Sequence, residues 1–386
     1  MVAMNRLSKF NYTILFSLII FLLSCSGVEV IENGQLNKEV VVTNSAEHSD
    51  HQGEVARKKI EHPKNDVKSD KFNFTDHSHK NEFSAVKNTK RVESFCGDID
   101  DKFKKYGWGK SHCDSYKWIH VRDTHQGRPI MWTVFGDEEE HKQEPKNMTL
   151  VLCGVHGDEI TPIKFCFDIL HHLYHEVATI EGQKKLKDNL VAVVPIVSPD
   201  SFFKKRPTRT NSRGIDPNRN FPTKDWENKA LHLWKTRYGA AKRRFPGKVA
   251  NSEQETIFQV NIIARYNPNK IITVHAPLTI LDYDGPVVSN HIHEEDGLAL
   301  KAEELLNTMS EKANGYRVKN YPFFPGSLGN YAGNERKIPT YTLELPSSDN
   351  RNHKKYWKMF RESIDFAVFH APMTRSDVTA RKNRID

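Results

Sequence analysis

The chain has 386 residues, 37% hydrophobic and 27% charged, with a formal net charge of +8. That length accommodates one large α/β domain with appendages, and the basic balance suits anionic partners. No arginine-rich run and no interleaving of basic and aromatic residues marks a nucleic-acid reader, so nucleic acid is not expected as a partner.

Arg6 and Lys9 precede an apolar run from Tyr12 to Leu23, too short to span a bilayer but of the length of a signal-peptide core. The run ends Leu22-Leu23-Ser24-Cys25, which resembles a bacterial lipobox. That resemblance implies a lipoprotein signal peptide over residues 1–25, with Cys25 left as the lipidated first residue and the chain held to a membrane. Ser26 stands where an aspartate would favour inner-membrane retention, which implies an outer-membrane anchor facing the periplasm. Residues 26–92 are polar, with single scattered apolar residues and no sustained period, and read as a disordered tether. Histidines 48, 51, 62, 77 and 79 in it read as solvated linker residues.

A catalytic-sized domain is expected over 93–375, with a flexible tail at 376–386. In an exported protein Cys96 and Cys113 are expected to form a disulfide at the domain entrance. Pro129 to Phe135 reads as a strand and Asp137 to Lys146 as an exposed charged loop. Met148 to Cys153 is short, apolar and β-branched, and predicts a buried strand. Thr161 to Val177 has apolar residues at helical spacing. Cys153 and Cys166, on that strand and that helix, are expected as buried free thiols. Between strand and helix lies Gly154-Val155-His156-Gly157-Asp158-Glu159, a turn at the carboxyl end of a strand, where open α/β sheets build their sites. His-x-x-Glu alone is a weak metal signal, so the remaining ligands must come from elsewhere.

Asn189 to Val197 predicts another buried strand. The long basic stretch Arg206 to Pro222 is helix-poor, and long ordered loops are usually functional. Ser252 and Glu255 fit a capping box opening a helix to about Tyr266. Lys270 to Ala276 reads as a strand carrying His275 near its end, and Glu294 to Lys312 as an amphipathic helix. Thr340 to Leu345 reads as a last strand containing Glu344, and His353 to His370 as a terminal helix.

His156, Glu159 and His275 make a His-Glu-His set that leaves a position open for water, as catalytic zinc sites do. Glu344 on an apolar strand could accept a proton from that water, and Arg209 and Arg219 could hold anionic groups.

Six motifs in order resemble the zinc metallocarboxypeptidases of the carboxypeptidase A superfamily, with the bacterial murein peptide amidases as the nearest resemblance. They are Gly154–Glu159, Gly214–Pro222, Ser252–Thr256, His275–Leu278, Pro325–Gly329 and Thr342–Pro346, within about residues 115–370. The resemblance implies a single α/β domain with a central mixed β-sheet flanked by helices, acting as a monomer. It implies one Zn2+ held by His156, Glu159 and His275, with Asp216 orienting a ligand histidine. Asn218 and Arg219 would grip the terminal carboxylate of the peptide, and Arg209 would polarise the scissile carbonyl. Glu344 would be the general base, then the acid to the leaving amine. A tyrosine often assists in this superfamily, and Tyr316, Tyr321 and Tyr331 are candidates. The substrate implied is a peptidoglycan stem peptide or muropeptide fragment, cut at the γ-D-glutamyl–meso-diaminopimelate bond by water that zinc activates. Two alternatives stay open: a carboxypeptidase trimming ordinary peptides, and a wall-binding protein without catalysis.

Overall fold

Seven short segments with extended, largely apolar patterns pair into one mixed sheet in the computed structural model, which describes residues 88–286 and 296–372. The signal peptide, Cys25, nearly all of the tether and the 376–386 tail lie outside the described residues. The strands are β1 (Ile119–Asp123), β2 (Pro129–Phe135), β3 (Asn147–Cys153), β4 (Asn189–Val194), β5 (Lys270–His275), β6 (Ile280–Asp284) and β7 (Thr340–Glu344). Their order is β1-β2-β4-β3-β5-β7-β6. The central four, β4, β3, β5 and β7, are parallel, and β1, β2 and β6 add antiparallel edges. Fully buried strands such as β3, β4 and β5 read as continuous apolar runs because both faces are covered.

The helices are α1 (Lys90–Tyr106), α2 (Glu138–Gln143), α3 (Ile160–Val177), α4 (Ile180–Lys187), α5 (Pro199–Phe203), α6 (Trp226–Thr236), α7 (Gln254–Tyr266), α8 (Asp296–Lys312) and α9 (His353–Phe369). Strand alternation divides the core in two. Val151 and Cys153 of β3, Ile272 and Val274 of β5, and Tyr341 and Leu343 of β7 pack with α3, α8 and α9. Leu150 and Leu152 face the other way, with Phe258, Ile262 and Tyr266 of α7. At the α8/α9 side of the sheet, β5, β7 and β6 are apolar. Their opposite face carries His275, Glu344 and Asp282.

Four expectations change. Cys153 and Cys166 are not free thiols: they are bonded, with Cα atoms 6.2 Å apart. The turn after β3 lays α3 back across the strand, so two inward-facing cysteines meet; apolar periodicity reports burial but not pairing. Cys96 and Cys113 are also bonded, with Cα atoms 5.3 Å apart. The charged segment after Asp137 is a short helix, because the Asp137 carboxylate accepts the N–H groups of Glu139 and Glu140 and acidic residues fill the first turn. There is no capping box at α7: its N-cap is Glu253, and Glu255 is fully buried, accepting from Asn211 at 2.9 Å. A tertiary partner outcompetes the local backbone there. Finally, the helix that opens the described residues starts at Lys90, capped by Thr89, within the stretch read as tether.

Candidate active site

The turn from β3 into α3 approaches other backbone too closely for side chains at every position. A Cβ at Gly157 would lie 2.4 Å from the Phe202 amide nitrogen, so only glycine fits against α5. The N–H groups of Gly157 and Asp158 donate to Thr208 O at 3.0 and 3.2 Å, tying the turn to the long basic loop. His156 and Glu159 then project from the carboxyl end of β3, beside His275 at the carboxyl end of β5.

These three side chains are buried and converge. Glu159 Oε1 lies 2.8 Å from His156 Nδ1, and its Oε2 lies 2.9 Å from His275 Nδ1. One ligand atom from each lies within 4.8 Å of the others, the one such group of three among the described residues. His156 Nε2 meets Asp216 Oδ1 at 3.1 Å, so Nδ1, on the Glu159 side, is the ring nitrogen that would face a metal. Two imidazoles and a carboxylate, with the outer histidine nitrogen held by a second carboxylate, are a donor set that fits zinc.

Asp216 does two tasks, since its Oδ2 accepts from Arg209 Nε at 2.8 Å. Arg209 Nη1 also reaches Glu159 Oε1 at 3.3 Å. Burial alone would raise the Asp216 carboxyl, but Arg209 and His156 hold it well below the usual carboxylate range. The same competition leaves Glu159 ionised: burial opposes, and the two histidines prevail. His156 is raised, because Glu159 and Asp216 outweigh burial and the Arg209 charge.

Glu344 ends β7 directly opposite His275 in the ladder. Its Oε2 accepts the Leu278 N–H at 3.3 Å. Burial pushes its carboxyl up, Glu159 adds to this, and His275 opposes it. A cavity of about 510 Å³ opens over these groups, lined by His156, Glu159, Arg209, Arg219, His275 and Glu344 among others. Asn218 is on its wall too, its side-chain oxygen accepting Leu328 N–H at 2.7 Å. Arg219 lies over the Phe324 ring, 4.8 Å from the centroid, and its buried Nε has no acceptor among the described residues. Of the three tyrosines, Tyr321 lines the cavity. Tyr316 donates its hydroxyl to Glu344 O at 2.8 Å, and Tyr331 is buried against Phe221.

The structure thus gathers His156, Glu159, Arg209, Asp216, Asn218, Arg219, His275 and Glu344 around one cavity. Two carboxylates on that cavity, Asp282 and Asp284, were not singled out from sequence. Their signal was available: acidic residues at a spacing of two in an otherwise apolar strand just after His275.

Residues 109–368 match the family model for zinc carboxypeptidases, more than half of the chain. Murein peptide amidase A of Vibrio campbellii is 27% identical over 208 residues, covering 53% of this chain and 71% of that protein. Murein peptide amidase A of Escherichia coli K12 is 28% identical over 217 residues, covering 54% and 76%. The crystal structure of carboxypeptidase A from Helicoverpa armigera matches with a TM-score of 0.52 at 16% identity, covering 78% of this chain and 76% of that one, a likeness of fold. The chain belongs to the zinc carboxypeptidase family, hydrolases that act on peptide bonds.

Proposed function

We propose that this protein removes diaminopimelate-type residues from peptidoglycan stem peptides by cutting the γ-D-glutamyl–meso-diaminopimelate bond. The observation that carries a carboxypeptidase-like reading is Arg219. Its guanidinium lines the same cavity as the His-Glu-His group and Glu344, with a buried Nε that lacks an acceptor among the described residues. A buried donor without a partner is costly, and a substrate carboxylate would satisfy it. The peptidoglycan part is supported by the relatives named murein peptide amidase A.

In this reading His156, Glu159 and His275 hold zinc, which when bound supplies a Lewis acid and an activated water. Asn218 and Arg219 take the terminal carboxylate and so set the register of the peptide. Arg209, held by Asp216, faces the charge that develops on the scissile carbonyl oxygen. Glu344, kept partly protonatable by burial, takes the proton of the attacking water and passes it to the leaving amine.

The N-terminal reading belongs to the same proposal. Four of the five cysteines are paired, as an oxidising compartment favours, and the fifth is Cys25. A lipid on Cys25 would hold the enzyme in the envelope, beside its substrate. Membrane fractionation of the Cys25→Ser variant tests this: the variant is expected in the soluble fraction.

The substrate test incubates the purified full chain, zinc-loaded, with muropeptides of tri-, tetra- and pentapeptide length, with products read by mass spectrometry. Release of diaminopimelate from tripeptides alone is the expected result. A diaminopimelate-containing dipeptide released from longer stems would make it an endopeptidase. Activity on plain peptides with no stem cut would remove the peptidoglycan reading.

A further inference from the structure

Outside the cavity, on the exposed side of α3, three more histidines gather. The segment His171-His172-Leu173-Tyr174-His175 sets His171 and His175 one helical turn apart, on the same face of α3. Their ring centroids lie 4.4 Å apart. His172, between them in sequence, is engaged elsewhere, with Asp365 at 2.8 Å. A third ring comes from another part of the chain: His112 stacks on His171, with centroids 5.6 Å apart. These separations bracket the 5.0 Å between His156 and His275, the two imidazoles of the active-site set. All three residues are exposed, and none of the three rings makes a hydrogen bond or ion pair among the described residues.

The backbone around His112 is pinned on both sides. Its neighbour Cys113 is bonded to Cys96 of α1, and on the other side the Ser111 N–H donates to Asp100 Oδ1 at 2.8 Å. His112 itself has φ of 55°, in the left-handed region that few residues with a side chain occupy. The chain thus holds an uncommon backbone conformation at the position that brings this ring onto His171. Burial lowers the His171 pKa, His175 and His112 add to this, and Lys164 and His172 contribute further. Neutral imidazole is the form that binds a metal. Lys164, whose charge reaches this face, is paired with the Asp168 carboxylate.

We infer that His112, His171 and His175 form a second metal site, separate from the cavity, for a borderline divalent ion such as Zn2+, Cu2+ or Ni2+. Three imidazoles and a water complete a four-coordinate ion. Imidazole suits these ions, whereas Mg2+ and Ca2+ take oxygen ligands. The donor atoms of the three rings are not drawn together as closely as those of His156, Glu159 and His275. Ring turns of exposed side chains, which occur in picoseconds to nanoseconds, bring them together around an ion. With no carboxylate on the outer nitrogens, the site holds its ion more weakly than the active-site set would, and it fills only with added metal. His171 is twelve residues beyond Glu159 on α3, about 18 Å at 1.5 Å per residue. An ion there ties the segment after α1 to α3, beside the Cys96–Cys113 bond, and leaves the cavity untouched.

The test is equilibrium dialysis of the full chain against added Zn2+ near neutral pH, with melting temperature followed in parallel. Wild type is expected to take up one equivalent beyond any ion at the active site, and its melting temperature to rise as that equivalent binds. His171→Ala, His175→Ala and His112→Asn should each weaken the added equivalent by about tenfold or more, since losing even an outer partner of a ligand costs that much. Asparagine at 112 tolerates the left-handed backbone, so that variant keeps the loop. The rise in melting temperature should shrink with the affinity, while kcat/KM on whichever peptide is cut stays unchanged. Two control variants locate the ion. Replacing histidines 48, 51, 62, 77 and 79 together with asparagine should leave the added equivalent in place, as should His275→Ala, which removes only the active-site ion. No added equivalent in wild type overturns the inference. So does one that persists in His171→Ala, or that disappears with the N-terminal histidines or with His275. Dependence on His171 and His175 but not on His112 overturns the link between the two segments. A chain that cuts no peptide yet keeps an added equivalent governed by all three histidines loses the proposed function and keeps this site.

Discussion

His275 and Glu344 face each other across the parallel ladder of β5 and β7, one beside Glu159 and the other against the Leu278 amide. Register therefore fixes a candidate metal ligand and a candidate proton acceptor on neighbouring strands, with no loop between them to flex. Glu159, and not Glu344, sits between the two histidine Nδ1 atoms, so the proposed reading gives the two carboxylates separate tasks. Glu344→Ala should keep one zinc per chain, read by metal analysis, while kcat falls about a thousandfold, within the range for a lost general base. Loss of zinc in that variant would make Glu344 a ligand.

In the proposed reading Arg219 and the substrate terminus form a pair that can be cut from either side. Arg219→Ala should lower kcat/KM about 10–100-fold, the range for a charge-assisted hydrogen bond, mainly through KM. Amidating the terminal carboxylate of the substrate should cost wild type a similar factor. The two changes together should cost little more than either alone, because each removes the same interaction. Losses that multiply would place the carboxylate elsewhere.

How far sequence reached depended on where each feature's partner lies. The turn that carries His156 and Glu159, His275 and Glu344 were legible as one cluster because a polar residue at the end of an apolar strand has few reasons to be there but chemistry. Glu255 was misassigned because a capping box and a buried Asn211 partner demand the same residue type, and only the fold decides between them. Cys153 and Cys166 each looked like core, as they are, but their bond depends on how α3 crosses β3. Asp282 and Asp284 were overlooked because their place on the cavity wall depends on pairing between strands. No window along the chain shows Thr342 beside Asp282.

The Cys153–Cys166 bond encloses the whole turn from Gly154 to Glu159 in its loop. Replacing both cysteines with alanine should cost about 3 kcal/mol of stability, the figure for a loop of roughly this length. Both residues are completely buried. A mild reductant should therefore leave the folded protein's stability unchanged and lower it only after an unfolding cycle. Denaturant melts before and after such a cycle distinguish this from an accessible bond, which reduction would weaken at once.

Asn211 organises the basic loop around Arg209, and it does so by donating to Glu253 Oε2 at 2.7 Å and Glu255 Oε2 at 2.9 Å. Glu255 Oε1 is buried with no partner among the described residues, so a proton on it meets no competitor. Burial raises the Glu255 carboxyl from 4.5 to about 7, Asn211 opposes, and Glu253 and Asp200 add to the rise. The sign follows from which state keeps the proton. Between about pH 4.5 and 7 the folded chain holds it and the unfolded chain has lost it, so this group's contribution falls as pH rises, then levels off. At 1.36 kcal/mol per pKa unit the fall is on the order of 3 kcal/mol. Other groups titrate in the same range, and carboxyls held low by partners, such as Asp216, act with the opposite sign. The informative quantity is therefore the difference between wild type and Glu255→Gln, which keeps an acceptor for Asn211 but carries no charge. Wild type should lose stability relative to the variant between pH 4.5 and 7 and hold a constant gap above. A gap that does not change with pH would mean Glu255 is ionised in the fold throughout, with Asn211 enough to keep it so.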